Sequence, residues 1–136
     1  MAGVDALACS ADGGIVAASV SDLLSPPRQF YIALYDGKSG ADLIRLPLCG
    51  SYAMGVSPDG RLIAIGEIRD VTMRVHLYSL PSGSLITSVI HGEAAKGRHQ
   101  FLSLGFVKNG HGIVFTSDGK YLITSAGTGT KVWRLG

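Results

Sequence analysis

The chain has 136 residues, 46% of them apolar, and a net charge of +2. This length suits one domain with a real core, and so apolar a composition excludes a disordered chain. The near-neutral charge gives no electrostatic reason to expect nucleic acid or an anionic membrane as the main partner.

The N-terminal segment, the lack of a long apolar run and the spacing of the two cysteines indicate a cytoplasmic protein. No basic region followed by an apolar stretch opens the chain, and no apolar run approaches the roughly 20 residues of a membrane span. Cys9 and Cys49 lie far apart and lack metal-ligand spacing, so both are expected to be reduced thiols.

Four short strands are predicted in the first third of the chain. Turns separate them at 10–14 and 36–40, where Asp-Gly pairs favour tight reversals. The loop 21–29 contains Pro26-Pro27, which cannot lie in a central strand. The predicted strands are Val4 to Cys9, Ile15 to Val20, Phe30 to Tyr35 and Asp42 to Leu46.

The same order of elements recurs in the middle of the chain, around the turn 57–60. Asp12 and Asp59 lie 47 residues apart, and Tyr35 and Tyr78 lie 43 apart. A four-stranded unit of roughly 40–45 residues is typical of one blade of a β-propeller. The predicted strands of this second unit are Tyr52 to Val56, Arg61 to Gly66, Met73 to Ser79 and Ser84 to Ile90.

A third unit is predicted near the C-terminus, but out of register, since Asp59 and Asp118 lie 59 residues apart. Deleting 107–115 would connect the segment 101–106 directly to the next turn. Residues 107–115 are therefore interpreted as an insertion. Two arrangements are open. The insertion either pairs with Phe101 to Phe106 as an extra hairpin, which we favour, or displaces that segment as the first strand of the unit.

The turn and strands at the C-terminus carry a family resemblance. Ser117 to Leu122 and Lys131 to Leu135 resemble the pattern of the WD-repeat family, whose Trp-Asp pair is Trp133-Arg134 here. The Gly-His pair expected before each first strand is missing or misplaced, with His91-Gly92 reversed. The buried Asp–His–Ser/Thr–Trp network of the family is then incomplete, with Ser125 and Trp133 supplying two of its members. The repeat-motif residues are Asp12, Gly13, Asp59, Gly60, Asp118, Gly119, Ser125 and Trp133.

The resemblance implies an all-β fold of four-stranded antiparallel propeller blades. We expect a single partial propeller domain over 1–136, with blade one at 4–47, blade two at 51–90 and most of a third blade at 101–136. A closed propeller needs at least about four blades. The chain is therefore expected to be part of a longer polypeptide, to assemble with copies of itself, or to be a marginal open array.

The residue pattern does not indicate an enzyme, a metal site or a cofactor. The predicted innermost strands carry one carboxylate, Asp5, and no histidine, whereas metals require several converging ligands. Gly127 to Lys131 joins two strands and opens no helix, so it is interpreted as a turn and not as a phosphate loop. His76 is expected on a blade face, and His91, His99 and His111 in solvated loops.

The loops at one rim of the predicted propeller are the candidate binding surface. They comprise 20–29, 48–51, 67–72 and 91–100, and arginine is favoured at protein interfaces. We therefore predict a non-catalytic protein-interaction scaffold. The alternatives are a fragment of a propeller hydrolase or oxidoreductase with catalytic residues in other blades, and a degenerate fragment without activity. The candidate rim residues are Arg28, Arg69, Asp70, Lys96, Arg98 and His99.

Overall fold

The computed structural model describes residues 2–22, 29–47, 51–69, 72–93, 112–126 and 129–135. Within these ranges the secondary structure consists of strands and turns, which confirms the all-β prediction. No helix of sufficient length and apolarity to cross a membrane occurs in this part of the chain.

Eleven strands form three antiparallel sheets among the described residues. Sheet 1 comprises β1 (Ala2–Cys9), β2 (Ile15–Asp22), β3 (Gln29–Asp36) and β4 (Asp42–Pro47), in that order. Sheet 2 comprises β5 (Ser51–Val56), β6 (Leu62–Arg69), β7 (Thr72–Ser79) and β8 (Leu85–Glu93). Sheet 3 comprises β9 (Ile113–Phe115), β10 (Tyr121–Ala126) and β11 (Gly129–Arg134).

The three sheets repeat one register, which defines matching positions along the chain. The last residue of each first strand pairs with the start of the second strand: Cys9 with Val16, Val56 with Ile63, and Phe115 with Leu122. From these pairs the remaining positions follow, because side chains alternate between the two faces of a strand. Tyr35, Tyr78 and Trp133 match in this way.

The start of the third sheet corrects the arrangement that we favoured from the sequence. Ile113–Phe115 pairs with β10 and takes the place that β1 and β5 take in the other sheets. This is the alternative in which part of 107–115 displaces Phe101 to Phe106 as the first strand. The physical reason is contiguity, since Phe115 leads directly into the turn, as Cys9 and Val56 do. Residues 101–111 lie outside the described part of the chain.

Three turns that enter the second strand of each sheet share one hydrogen-bond pattern. The hydroxyl groups of Ser10, Ser57 and Thr116 donate to the aspartate two residues later, at 2.8, 2.7 and 2.6 Å. The same aspartate oxygen accepts a backbone N–H from the residue two further on, at 2.8 to 3.0 Å. The glycines of these turns, Gly13, Gly60 and Gly119, have φ values of 71°, 73° and 71°.

These hydrogen bonds favour the ionised carboxylates. The hydroxyls of Ser57 and Thr116 are the main cause that lowers the pKa of Asp59 and Asp118, followed by backbone N–H groups. For Asp12 the backbone N–H of Gly14 is the largest cause of the lowered pKa. The turns are therefore most stable above the ordinary carboxyl range of about 4 and weaken as the pH falls through the lowered pKa values.

The sheets stack face to face, so the core lies at the two junctions between them. Ala17, Ile32 and Leu34 of sheet 1 pack with Ile63 and Ile65 of sheet 2 in one buried cluster. A second cluster joins sheets 2 and 3, and it includes Ala64, Met73, Val75, Leu77, Ile113 and Leu122. Sheet 2 is thereby covered on both faces. We call the face of a sheet that is turned toward the earlier sheet its N-face, and the opposite one its C-face.

The turn glycines give a prediction about the first junction. Gly119→Ala meets nothing within 4 Å, so it should cost only the strain of a positive φ, about 1–2 kcal/mol. Gly60→Ala has the same φ, but its Cβ would lie 3.1 Å from Cγ1 of Ile15 in sheet 1. We expect Gly60→Ala to be the more destabilising change by about 1 kcal/mol or more in urea unfolding. Equal losses would show that the turn does not pack on sheet 1.

Candidate functional site

The strands that flank the predicted rim loops begin and end at one edge of the sheet stack. β2 and β6 end at this edge, and β3 and β7 begin there, because Asp22 pairs with Gln29 and Arg69 with Thr72. The connections 23–28, 48–50, 70–71, 94–111 and 127–128 begin and end at strand termini of this edge, which we call the loop rim. The opposite edge, the turn rim, consists of tight hydrogen-bonded turns.

The structure places one of the six predicted rim residues. Arg69 is the last residue of β6 and therefore lies at the loop rim. Arg28, Asp70, Lys96, Arg98 and His99 lie outside the described residues. The described strands that flank these segments begin and end at the loop rim.

A chain of buried hydrogen bonds crosses the junction between sheets 2 and 3. Nε1–H of Trp133 donates to Oγ1 of Thr124 at 3.0 Å, and Oγ1 of Thr124 lies 2.8 Å from Nδ1 of His91. Nε2 of His91 lies 3.1 Å from the carbonyl oxygen of Gly129. Because a carbonyl oxygen only accepts, the proton of the neutral ring is on Nε2, and Nδ1 accepts from the Thr124 hydroxyl.

This network corrects the role expected for Ser125. Thr124, one residue earlier, is the hydroxyl partner of Trp133, while Oγ of Ser125 lies 3.0 Å from Oγ1 of Thr130 on the opposite face. The reason is the pleat of the strand, since a shift by one residue moves a side chain to the other face. Leu122 pairs with Trp133, so Thr124 and not Ser125 faces sheet 2.

The network also corrects the interpretation of His91 as a solvated loop residue. His91 lies in β8 and is only 2% exposed. The predicted strand ended at Ile90, and extending its alternation by one residue would have placed His91 on the face of Val89. Continuation of this alternation through residue 91 was the sequence signal that His91 belongs to the strand and is buried. The reversed His91-Gly92 order concealed it, because the family pattern expects glycine first.

Burial keeps the His91 ring neutral. Removal from water is the largest cause that lowers the pKa of His91, and Lys131 lowers it further, against an opposing effect of the Gly129 carbonyl. Protonation of Nδ1 would also replace the acceptor of the Thr124 hydroxyl by a second donor. The network therefore requires the neutral ring.

A second polar group lies on the N-face of sheet 2. Nδ1 of His76 lies 2.7 Å from Oγ of Ser88, and its Nε2 lies 3.4 Å from Oε2 of the buried Glu67. Glu67 pairs in register with Arg74 on the neighbouring strand. The sequence placed His76 on a blade face, and the structure shows this polar environment around it.

The described residues offer no group of three or more His, Cys, Asp or Glu side chains in an arrangement that could hold a metal ion. Asp5, the carboxylate of the first predicted innermost strand, lies in β1, and its side chain is outside the description. Cys9 is an exposed free thiol at the end of β1.

Comparison of the fold with solved structures identifies β-propellers. The chain is similar to the β-propeller domain of the Trilobed protease from Pyrococcus furiosus, which has an open velcro topology. The TM-score is 0.60 at 17% identity, covering 96% of this chain and 37% of that chain. It is also similar to Pyrococcus horikoshii acylaminoacyl peptidase, with a TM-score of 0.57 at 17% identity, covering 91% of this chain and 17% of that chain.

A third similar structure, described as the eukaryotic initiation factor, gives a TM-score of 0.55 at 16% identity, covering 98% of this chain and 29% of that chain. The chain thus spans between 17% and 37% of these structures. No protein-family model and no curated protein matches the chain. The fold is that of propeller blades, which confirms the predicted fold class.

The Thr124 hydroxyl gives a sharp mutational prediction. Thr124→Val keeps the shape of the side chain but leaves the Trp133 N–H without its acceptor and Nδ1 of His91 without the hydroxyl donor. We expect a loss of about 1–3 kcal/mol in the free energy of unfolding. Ser125→Ala is the matched control one residue away, and it should stay within about 0.5 kcal/mol. A larger loss for Ser125→Ala than for Thr124→Val would show that Ser125, and not Thr124, belongs to the network.

The lowered pKa of His91 gives a prediction about pH. The folded chain binds this proton less readily than the unfolded chain, whose histidines titrate near 6.5. Its contribution to stability is therefore complete above about 6.5 and is lost as the pH falls from there toward the folded pKa. We expect the melting temperature to fall over this window, and His91→Gln to flatten the profile. Identical pH profiles for the two proteins would contradict this assignment.

Proposed function

We propose that the chain is a non-catalytic protein-interaction scaffold of WD-repeat type whose binding surface is the loop rim. The observation that carries this proposal is the division of the stack into two unlike edges. The turn rim is closed by short hydrogen-bonded turns, and the loop rim receives every connection between strands 2 and 3 and between strand 4 and the next sheet. Loops held on a rigid scaffold are where binding residues concentrate.

Two features support the assignment to the WD-repeat type and the binding role of the loop rim. His91, Thr124 and Trp133 provide three of the four residue types of the WD-repeat network, and they meet across one junction. Arg69 ends β6 at the loop rim, and Arg28 and Arg98 lie in segments whose flanking strands end there; guanidinium groups suit protein interfaces. The partners implied are other proteins.

The experiment compares charge reversals on the two rims. The rim variant combines Arg28→Glu, Arg69→Glu and Arg98→Glu, and its control combines Lys38→Glu and Lys120→Glu on exposed turns of the opposite edge. We expect proteins cross-linked to the chain to be recovered with the wild type and with the control variant. Their recovery should decrease at least about tenfold with the rim variant. Partners that are lost equally with both variants would contradict binding by the loop rim.

A second function is favoured by the neighbours themselves. Two similar structures are a protease propeller and an acylaminoacyl peptidase, so the chain is alternatively part of a propeller hydrolase whose catalytic residues lie elsewhere. Hydrolysis of an acylated peptide anilide by the natural gene product would favour this alternative. Absence of turnover together with rim-dependent partner binding would favour the scaffold.

A further inference from the structure

Three polar side chains on the N-face of sheet 2 form a row that neither the loop rim nor the buried network uses. The register places Ser88 of β8 directly opposite His76 of β7. Glu67 of β6 pairs with Arg74, the preceding residue of β7 on the same face as His76. Nδ1 of His76 lies 2.7 Å from Oγ of Ser88, and its Nε2 lies 3.4 Å from Oε2 of Glu67. Cross-strand pairing therefore brings a hydroxyl, an imidazole and a carboxyl group together, and we call them the polar row.

The carboxyl end of the polar row favours one position for the imidazole proton. A carboxylate oxygen only accepts, so the neutral His76 ring is favoured with its proton on Nε2, toward Glu67. Among the described residues Nε2 is buried without a formed hydrogen bond, so its contact with the carboxylate is electrostatic. Nδ1 then carries a lone pair, and it accepts the hydroxyl proton of Ser88.

The two ends of the polar row differ in their access to water. The side chains of Glu67 and His76 are 8% and 15% exposed, whereas Ser88 is exposed. A carboxylate removed from water stabilises a neighbouring imidazolium more strongly than a carboxylate on the surface does. Burial also restricts the imidazole ring, while a reagent can reach the hydroxyl group directly from solvent.

We propose that Ser88 is a modification site, a serine that takes a short acyl group from an activated ester. Its Oγ attacks the acyl carbon, the hydroxyl proton passes to Nδ1 of His76, and the bond from the acyl carbon to the leaving group breaks. The leaving phenolate or thiolate takes up this proton, so the products are a Ser88 acyl ester, a free phenol or thiol and a neutral ring. Glu67 is a positioning residue, because it orients the ring and stabilises the imidazolium that forms.

The surroundings of Ser88 decide which acyl donors can react. β8 is the outermost described strand of sheet 2, so the reacting carbonyl group stays in contact with water. Water stabilises an oxyanion less well than preorganised donors do, so the donor needs a good leaving group, and an amide does not react. Ile90 follows on the same face and is 55% exposed, which provides an apolar surface for a short acyl chain. The modification is stoichiometric and independent of the partner binding proposed for the loop rim.

Acetylation by p-nitrophenyl acetate, located by peptide mass spectrometry, tests the proposal. Trypsin cleavage after Arg74 and Lys96 gives one peptide that contains both Ser88 and Ser84. Ser84 is also exposed and serves as the internal control. At a pH above the ordinary histidine range of about 6.5, we expect Ser88 to be acetylated at least about a hundredfold faster than Ser84. Equal rates at the two serines would overturn the proposal.

Substitution of the histidine tests its role as the base. His76→Gln keeps a polar side chain opposite Ser88 but removes the imidazole, so acetylation of Ser88 should fall to the rate of Ser84. Thr87→Ala is the control, because it removes the adjacent hydroxyl on the opposite face of β8 and should leave the rate unchanged. The near-ultraviolet circular dichroism of Trp133 reports whether each variant is folded. An unchanged rate in folded His76→Gln would overturn the assignment of the base.

Nitrogen-15 NMR of the His76 ring provides a readout that needs no substitution. In the wild type we expect the neutral ring to carry its proton on Nε2, and a ring protonated on Nδ1 would overturn the proposal, because Ser88 would then face a donor. Glu67→Gln replaces the carboxylate by an amide that can also donate. It should move part of the population to the Nδ1–H tautomer and slow acetylation of Ser88 at least about tenfold. An unchanged tautomer and rate in this variant would overturn the positioning role of Glu67.

Discussion

Burial of apolar sheet faces against neighbouring sheets is the constraint on which this structure depends. In β6, the consecutive residues Ile63, Ala64 and Ile65 are all fully buried, although successive side chains point in opposite directions. A strand of this kind is stable only between two neighbours, and sheet 2 has them. Sheet 1 carries a similar apolar pattern in β2, and no sheet among the described residues packs on its N-face.

The two junctions within the chain are chemically different. The first is apolar in its second strand, where Ile65 faces sheet 1, while the second has the hydroxyl of Thr124 at the matching position. A buried hydroxyl, indole and imidazole are costly unless they bond to one another. If another sheet replaced sheet 3, His91 would lose Thr124, so the network favours one order of sheets over the alternatives.

Local chemistry explains which parts of the fold were predictable. The turns at Asp12, Asp59 and Asp118 were visible because hydroxyl, aspartate and glycine recur at fixed offsets, and that chemistry is local. The hydroxyl partner of Trp133 was not predictable, because the choice between Thr124 and Ser125 depends on which face of β10 meets sheet 2.

The first strand of sheet 3 was mistaken for a related reason. The sequence contains two apolar runs before the turn at Asp118, at 101–106 and at Ile113–Phe115. The repeat period alone selects 101–106, which is separated from the turn by nine residues. Contact with the turn selects Ile113–Phe115 instead. Of the candidate rim residues, Arg69 lies within the described strands, and the other five lie outside the described residues.

Described residues on both sides of the segment 94–111 form hydrogen bonds with the same strand, β10. His91, just before it, bonds to the hydroxyl of Thr124, and the carbonyl oxygen of Gly112, just after it, accepts the N–H of Ser125 at 2.7 Å. Fixing the two ends of a segment removes the loop-closure part of the entropy cost of ordering it, and this part grows only slowly with length. The buried network and the adjacent β10 therefore hold in place the base of the segment that contains Lys96, Arg98 and His99. A surface that binds proteins through this segment needs such a base, and this links the network inside the junction to the binding role proposed for the rim.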